Sequence, residues 1–134
     1  MIEVTTQLVM DVGRLGCHTF PPGRYAYVGS ALGPGGVAAR LNRHLQPNKS
    51  MHWHIDFLTA AAPIIGAAAV YRTDRLECTW AQVLHRYEGV HAPVPGFGSS
   101  DCRSGCPAHL WRLPDRASLS WIEDNLTRCP IQAI

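Results

Sequence analysis

The sequence predicts a single domain of the α+β class, with strands gathered early in the chain and one-sided helices after them. Three observations point there. A chain of 134 residues has room for one hydrophobic core, since compact domains run roughly 100–150 residues. Its 46% hydrophobic and 16% charged content suits a buried core and excludes disorder or a fibrous repeat. The apolar pattern also changes period along the chain, from two to about 3.6.

Over residues 7–12, Leu8, Met10 and Val12 alternate with Gln7, Val9 and Asp11, which reads as a strand. Gly13, Gly16, Pro21 and Pro22 punctuate a connection into a second strand, 24–31, where Tyr25 and Tyr27 share a face. The two read as an antiparallel hairpin. The breaker at 32–36 precedes a helix in which Val37, Leu41 and Leu45 recur every fourth residue and which stops near Pro47. A short helix is predicted over 52–61, ending before Pro63, and a buried strand over 64–71. Asp74 is placed to cap a third helix, 75–87, with Leu76, Trp80, Val83, Leu84 and Tyr87 facing inward and Gly89 as its stop. Residues 90–107, rich in Gly, Pro and Ser, are too long for an ordinary connection and so are functional or mobile. A last strand is expected over 109–113, and a C-terminal helix from about Asp115, marked by Leu119, Ile122 and Leu126.

The longest apolar stretch, 57–71, is broken by Pro63 and Gly66, so no membrane span is expected. The start lacks the features of a secretory leader. The five cysteines, Cys17, Cys78, Cys102, Cys106 and Cys129, are irregularly spaced and suit free thiols in a reducing cytoplasm better than a disulfide framework. Net charge is only +2, but eleven of the twelve basic residues are arginine, with Lys49 the exception. Codon usage explains that skew as well as phosphate recognition does, so charge permits nucleic acid without demanding it.

Arg40 and His44 stand one helical turn apart, on an edge that faces the end of the Tyr25–Tyr27 strand. A phenol, a guanidinium and an imidazole gathered there suit phosphate chemistry; the plainer reading is the solvated flank of an amphipathic helix. Glu77 lies at the margin of an apolar face, where a carboxylate needs a partner or a hard cation, although a first-turn glutamate is also favoured by the helix dipole. His52, His54 and Asp56 form H-x-H-x-D. Its histidines share a face in an extended chain and diverge in a helix, so substrate contacts are expected there ahead of a metal site. Cys102, Cys106 and His109 offer three soft ligands for zinc, needing a fourth from Cys17, His18 or His91. The preferred reading is a tight turn built by Ser99, Ser100, Asp101 and Cys102, with Asp101 holding Arg40 or a histidine. Trp53, Trp80 and Trp121 read as packing residues.

The run Gly23-Arg24-Tyr25-Ala26-Tyr27-Val28-Gly29-Ser30-Ala31, then Arg40, His44, His52-Trp53-His54-Ile55-Asp56 and Gly96-Phe97-Gly98-Ser99-Ser100-Asp101-Cys102, resembles an uncharacterised branch of the GIY-YIG nuclease superfamily. The resemblance covers roughly residues 13–113. It implies a small antiparallel sheet flanked by helices and one-metal hydrolysis of a phosphodiester. By it Tyr27 is the second-motif tyrosine, Arg40 stabilises phosphate, His44 relays a proton, and Glu77 binds Mg²⁺ or Mn²⁺. Ser30, Arg43, His52, His54 and Asp101 then become nucleic-acid contacts. The superfamily's first tyrosine has no match, since residues 1–12 contain no tyrosine. Either the start is short, or Tyr25 substitutes, or catalysis has been lost and binding kept. The expected activity is therefore a divalent-metal nuclease acting on DNA or another nucleic acid, with a protein partner as one source of selectivity. The alternatives are a silent nucleic-acid or protein-binding module and, behind it, a zinc-stabilised domain without nuclease activity.

Overall fold

The computed structural model describes residues 1–127; Cys129, read above as a free thiol, lies outside them. The architecture is α+β, small antiparallel sheets flanked by four helices among the described residues. The central sheet has strand order β1-β4-β5, formed by Ile2–Val4, Gly23–Tyr27 and Leu110–Arg112. A separate two-stranded ribbon pairs β2, Leu8–Asp11, with β3, Cys17–Phe20. Helices α1 (Gly36–Leu45), α2 (His54–Ala61), α3 (Glu77–Arg86) and α4 (Leu119–Ile122) follow, α4 running into a π turn at Glu123–Thr127.

The expected hairpin is corrected. Residues 7–12 pair with β3 and not with the Tyr25–Tyr27 strand, because Gly13 and Gly16 take positive φ and reverse the chain within one short turn. The β3 strand is Cys-His-Thr-Phe, too polar to register as a strand by pattern, and it occupies the edge the hairpin needed. The strand predicted at 64–71 is also corrected. Around the Ile64–Ile2 bridge the chain meets the edge of β1, with Glu3 N donating to Pro63 O, Ile65 N to Met1 O and the Met1 amino group to Gly66 O, but beyond Gly66 it runs on without a described partner strand to Tyr71, which is 83% exposed.

Period-two geometry in β4 divides the core. Tyr25 and Tyr27 pack on one side with Ile2, Val4, Phe20, Phe97 and the α2 residues Ile55 and Leu58. Ala26 and Val28 pack on the other with Trp111 and with Ala81 and Leu84 of α3, Ile122 of α4 and Leu126 beyond it. The sheet is thus covered on both faces. The third helix begins two residues later than its predicted start: Asp74 pairs with Arg72 at 2.8 Å and caps nothing. Trp80, Val83 and Tyr87 pack against the second core as the pattern implied. The long connection is ordered by its own backbone. Gly96 N donates to Pro107 O and His109 N to Phe97 O, each at 2.7 Å, while His109 O accepts from Val28 N. That closed loop is thereby docked on the end of β4.

Candidate functional site

Helix α1 buries none of its residues. What holds it is a polar clamp to α2. Asp56 is wholly buried; its Oδ1 accepts from Arg43 Nη1 at 3.0 Å and its Oδ2 from Arg43 Nη2 at 2.9 Å. The same Oδ2 accepts from the amides of His52 and Trp53, which closes the first turn of α2. Burial works against the ionised carboxyl, but the Trp53 and His52 amides and Arg43 outweigh it and hold its pKa below the ordinary value. The H-x-H-x-D motif is therefore a helix start, with both oxygens of Asp56 committed to protein donors.

Trp53 fills the space between two cations. The guanidiniums of Arg40 and Arg43 lie 4.8 and 4.5 Å from its ring centroid. Arg43, expected as a substrate contact, is thus spent on Asp56 and Trp53. Arg40 is different: none of the ion pairs among the described residues involves it. Its Nη2 instead donates weakly to the Tyr27 hydroxyl, at 3.5 Å. Gly29 makes the approach possible, because a β-carbon there would stand 2.9 Å from Arg40 Nη2.

His44 meets the same phenol edge-on, its ring centroid 6.0 Å from that of Tyr27 and 5.9 Å from that of Trp53. Burial, then Arg40, lowers the His44 pKa to about 4, so the imidazole is neutral at pH 7. Its Nδ1 is buried without a hydrogen-bond partner. Burial raises the Tyr27 pKa, with Arg40 offsetting part of the effect, so the phenol keeps its proton. Tyr27, Arg40 and His44 share the wall of a cavity of about 500 Å³ with Ser30, Leu41 and Trp80.

The closed loop supplies the other side. Gly98 has φ +72, and a β-carbon on it would lie 2.9 Å from Tyr27 Cε2 and 3.2 Å from His109 Cβ. Its amide donates to His54 Nδ1 at 2.9 Å. Burial lowers the His54 pKa, against the opposing charge of Asp101. Asp101 itself is exposed and also acts on Tyr27 and His109, but makes no ion pair with Arg40. His52 is exposed beside Trp53.

Two predicted residues stand apart from the trio. Tyr25 is fully buried in the first core and its hydroxyl donates to Pro21 O at 2.6 Å, so it does not turn toward Arg40. Glu77, at the start of α3, is nearly buried; Oε1 is 3.7 Å from Arg75, and Oε2 has no hydrogen-bond partner. Its charge acts on His109, the residue that backs Gly98.

Beside Glu77 lies a second cluster. One ligand atom from each of Cys78, Cys102, Cys106 and His109 falls within 4.8 Å of every other, so the four can hold a metal ion. The fourth member was misassigned from the sequence. Cys17 and His91 are exposed and His18 Nε2 is bonded to Leu15 O, whereas Cys78 sits one residue after Glu77 on α3. Cys78 is 24 residues before Cys102, a separation that matches no ligand spacing; only its place at a helix start hinted at it. Burial and the neighbouring thiols push Cys106 up to about 12. Burial also opposes ionisation of Cys102, but backbone amides of Cys106 and Ser104 prevail and bring it below the usual range. The sequence pattern likewise missed Trp53 as a spacer between arginines and Gly29 and Gly98 as seats for Arg40 and Tyr27.

Among the described residues no helix is long and apolar enough to cross a membrane. A family model described as a domain of unknown function, DUF123, matches residues 1–129. No curated protein and no solved structure matches the chain.

Proposed function

We propose that this chain, which belongs to the DUF123 family, binds the phosphodiester backbone of a nucleic acid at Arg40 and cleaves it, in the manner of the GIY-YIG nucleases it resembles. The observation that carries this reading is Arg40 itself. It is a guanidinium on the wall of a cavity, without an ion pair among the described residues, flanked by a neutral imidazole and a protonated phenol. Such a group is an anion site, and a planar fork suits the nonbridging oxygens of a phosphoryl group. Arg40 neutralises the charge that grows there as the phosphorus is attacked. His44, uncharged at neutral pH, accepts the proton of the attacking water. Tyr27 orients that water as a hydrogen-bond donor, since its raised pKa argues against a phenolate.

Glu77 fits a hard divalent cation as a single oxygen ligand: Oε2 is buried and orphaned. Glu77 does not line the Arg40 cavity, so Mg²⁺ or Mn²⁺ bound there would polarise the phosphate and stabilise the departing oxygen only for a substrate that reaches from Arg40 to the start of α3. DNA is the proposed substrate, Ser30, His54 and Asp101 are proposed contacts, and a partner protein is a source of selectivity. Free thiols suit a cytoplasmic setting.

The test is incubation with single-stranded, duplex and branched DNA under Mg²⁺ or Mn²⁺, comparing wild type with Arg40→Ala and Glu77→Gln. Cleavage lost in both variants supports the proposal. A second reading, a binding module without catalysis, draws on the engagement of the Tyr25 hydroxyl by Pro21, which leaves Tyr27 as the one phenol that β4 brings to Arg40. Binding that depends on Arg40 without cleavage would establish that module in place of the nuclease.

A further inference from the structure

We propose that Cys78, Cys102, Cys106 and His109 bind one zinc ion in a closed, four-coordinate site that fastens the loop carrying Gly98 to helix α3. The ligand set is three thiols and one imidazole, the soft and borderline donors that select zinc over magnesium or calcium. Zn–S bonds of about 2.3 Å in a tetrahedron set the sulfurs about 3.8 Å apart. Cys78 Sγ stands 3.5 Å from Cys102 Sγ and 3.8 Å from His109 Nε2, and the whole set lies within 4.8 Å. A disulfide requires about 2.05 Å, so Cys78 and Cys102 are in contact but unbonded.

The four residues come from separate parts of the chain: α3, two points on the closed loop, and the residue before β5. Cys106 packs against the second core, but apolar packing does not account for Cys78 and Cys102 meeting it, since both are only half-buried and belong to neither core. His109 is further set by its place against Gly98, by a hydrogen bond with the Gly98 backbone and by the neighbouring Glu77 charge, which are the kinds of outer contact that orient a ligating imidazole. All four positions are filled by protein, which leaves no opening for substrate and makes the ion a structural one. Its consequence is local: the loop it holds bears Gly98, against which Tyr27 packs and from which His54 accepts a hydrogen bond. This inference does not depend on nuclease activity.

The experiment is metal analysis of protein purified without chelator, joined to cobalt substitution. The expected results are one zinc per chain in wild type and in Cys17→Ser, and little or none in Cys78→Ser and Cys106→Ser. Because the variants can fail to fold, the decisive arm uses wild type alone. Chelator-stripped protein given Co²⁺ should develop the visible bands of a tetrahedral ion and near-ultraviolet sulfur-to-cobalt absorption. A natively folded wild type that is metal-free and whose thiols all react at once with a thiol reagent would overturn the proposal. So would a Cys78–Cys102 disulfide found by mass, or a cobalt spectrum without sulfur ligation.

Discussion

Gly29 and Gly98 act through the β-carbon they lack. Alanine at 29 meets only the far end of Arg40, so Gly29→Ala should leave the denaturation midpoint nearly unchanged while displacing Arg40 and weakening DNA binding. Alanine at 98 meets an aromatic ring and a left-handed backbone together. Gly98→Ala should therefore destabilise by about 1–3 kcal/mol, measured by urea titration. Asp56→Ala removes a buried carboxylate from four donor contacts and should cost about 3 kcal/mol. A loss below about 0.5 kcal/mol would refute the clamp described for α1.

Acid sensitivity belongs to the same scale. The unfolded His44 titrates at 6.5 and the folded one at about 4, so between those values the unfolded chain binds more protons and stability falls as the pH falls. His54, also lowered by burial, adds to that slope. Asp56, depressed below 3.8, keeps its contribution above that value and loses it only as pH falls through the lower folded pKa. Chemical denaturation at a series of pH values should show stability declining below about 6.5, and His44→Gln should flatten the decline between 6.5 and 4. An unchanged slope would contradict the burial assigned to His44.

At the scale of elements, α1 is the exposed helix and the clamp is its anchor. Hydrogen exchange should find α1 amides exchanging well before those of β4 and β5, and faster still in Asp56→Ala, because polar clamps with little apolar burial open locally. Helix α3 was legible in the sequence because its apolar residues repeat every three or four positions: Leu76, Trp80 and Leu84 pack where that spacing put them, whereas the same spacing in α1 leaves Leu45 61% exposed. The ribbon was not. Cys17-His18-Thr19-Phe20 carries no alternation that separates it from a loop, and its pairing was settled by a glycine turn and not by side chains. The apolar run at 64–71 misled for the opposite reason, since beyond Gly66, where its hydrogen bonds to the start of the chain end, its residues line a cavity with no described strand beside them.

For the whole molecule, both proposed sites meet at one loop. Residues 96–109 touch Tyr27 through Gly98 and hold three members of the Cys/His cluster. Arg40 and His44 could be read as neighbours from a single helical turn, whereas Cys78 joins its cluster only through tertiary folding. Tyr25 was misread because a shared strand face does not say where each hydroxyl finds its acceptor.

The central claim, that Arg40 receives a phosphate, is tested most directly by the salt dependence of DNA binding in wild type, Arg40→Ala and Arg40→Lys. The account predicts weaker binding for Arg40→Ala at every sequence, with the slope of log affinity against log salt reduced by about one, and the slope retained in Arg40→Lys. Equal affinities and slopes for wild type and Arg40→Ala, with the variant folded, would contradict it.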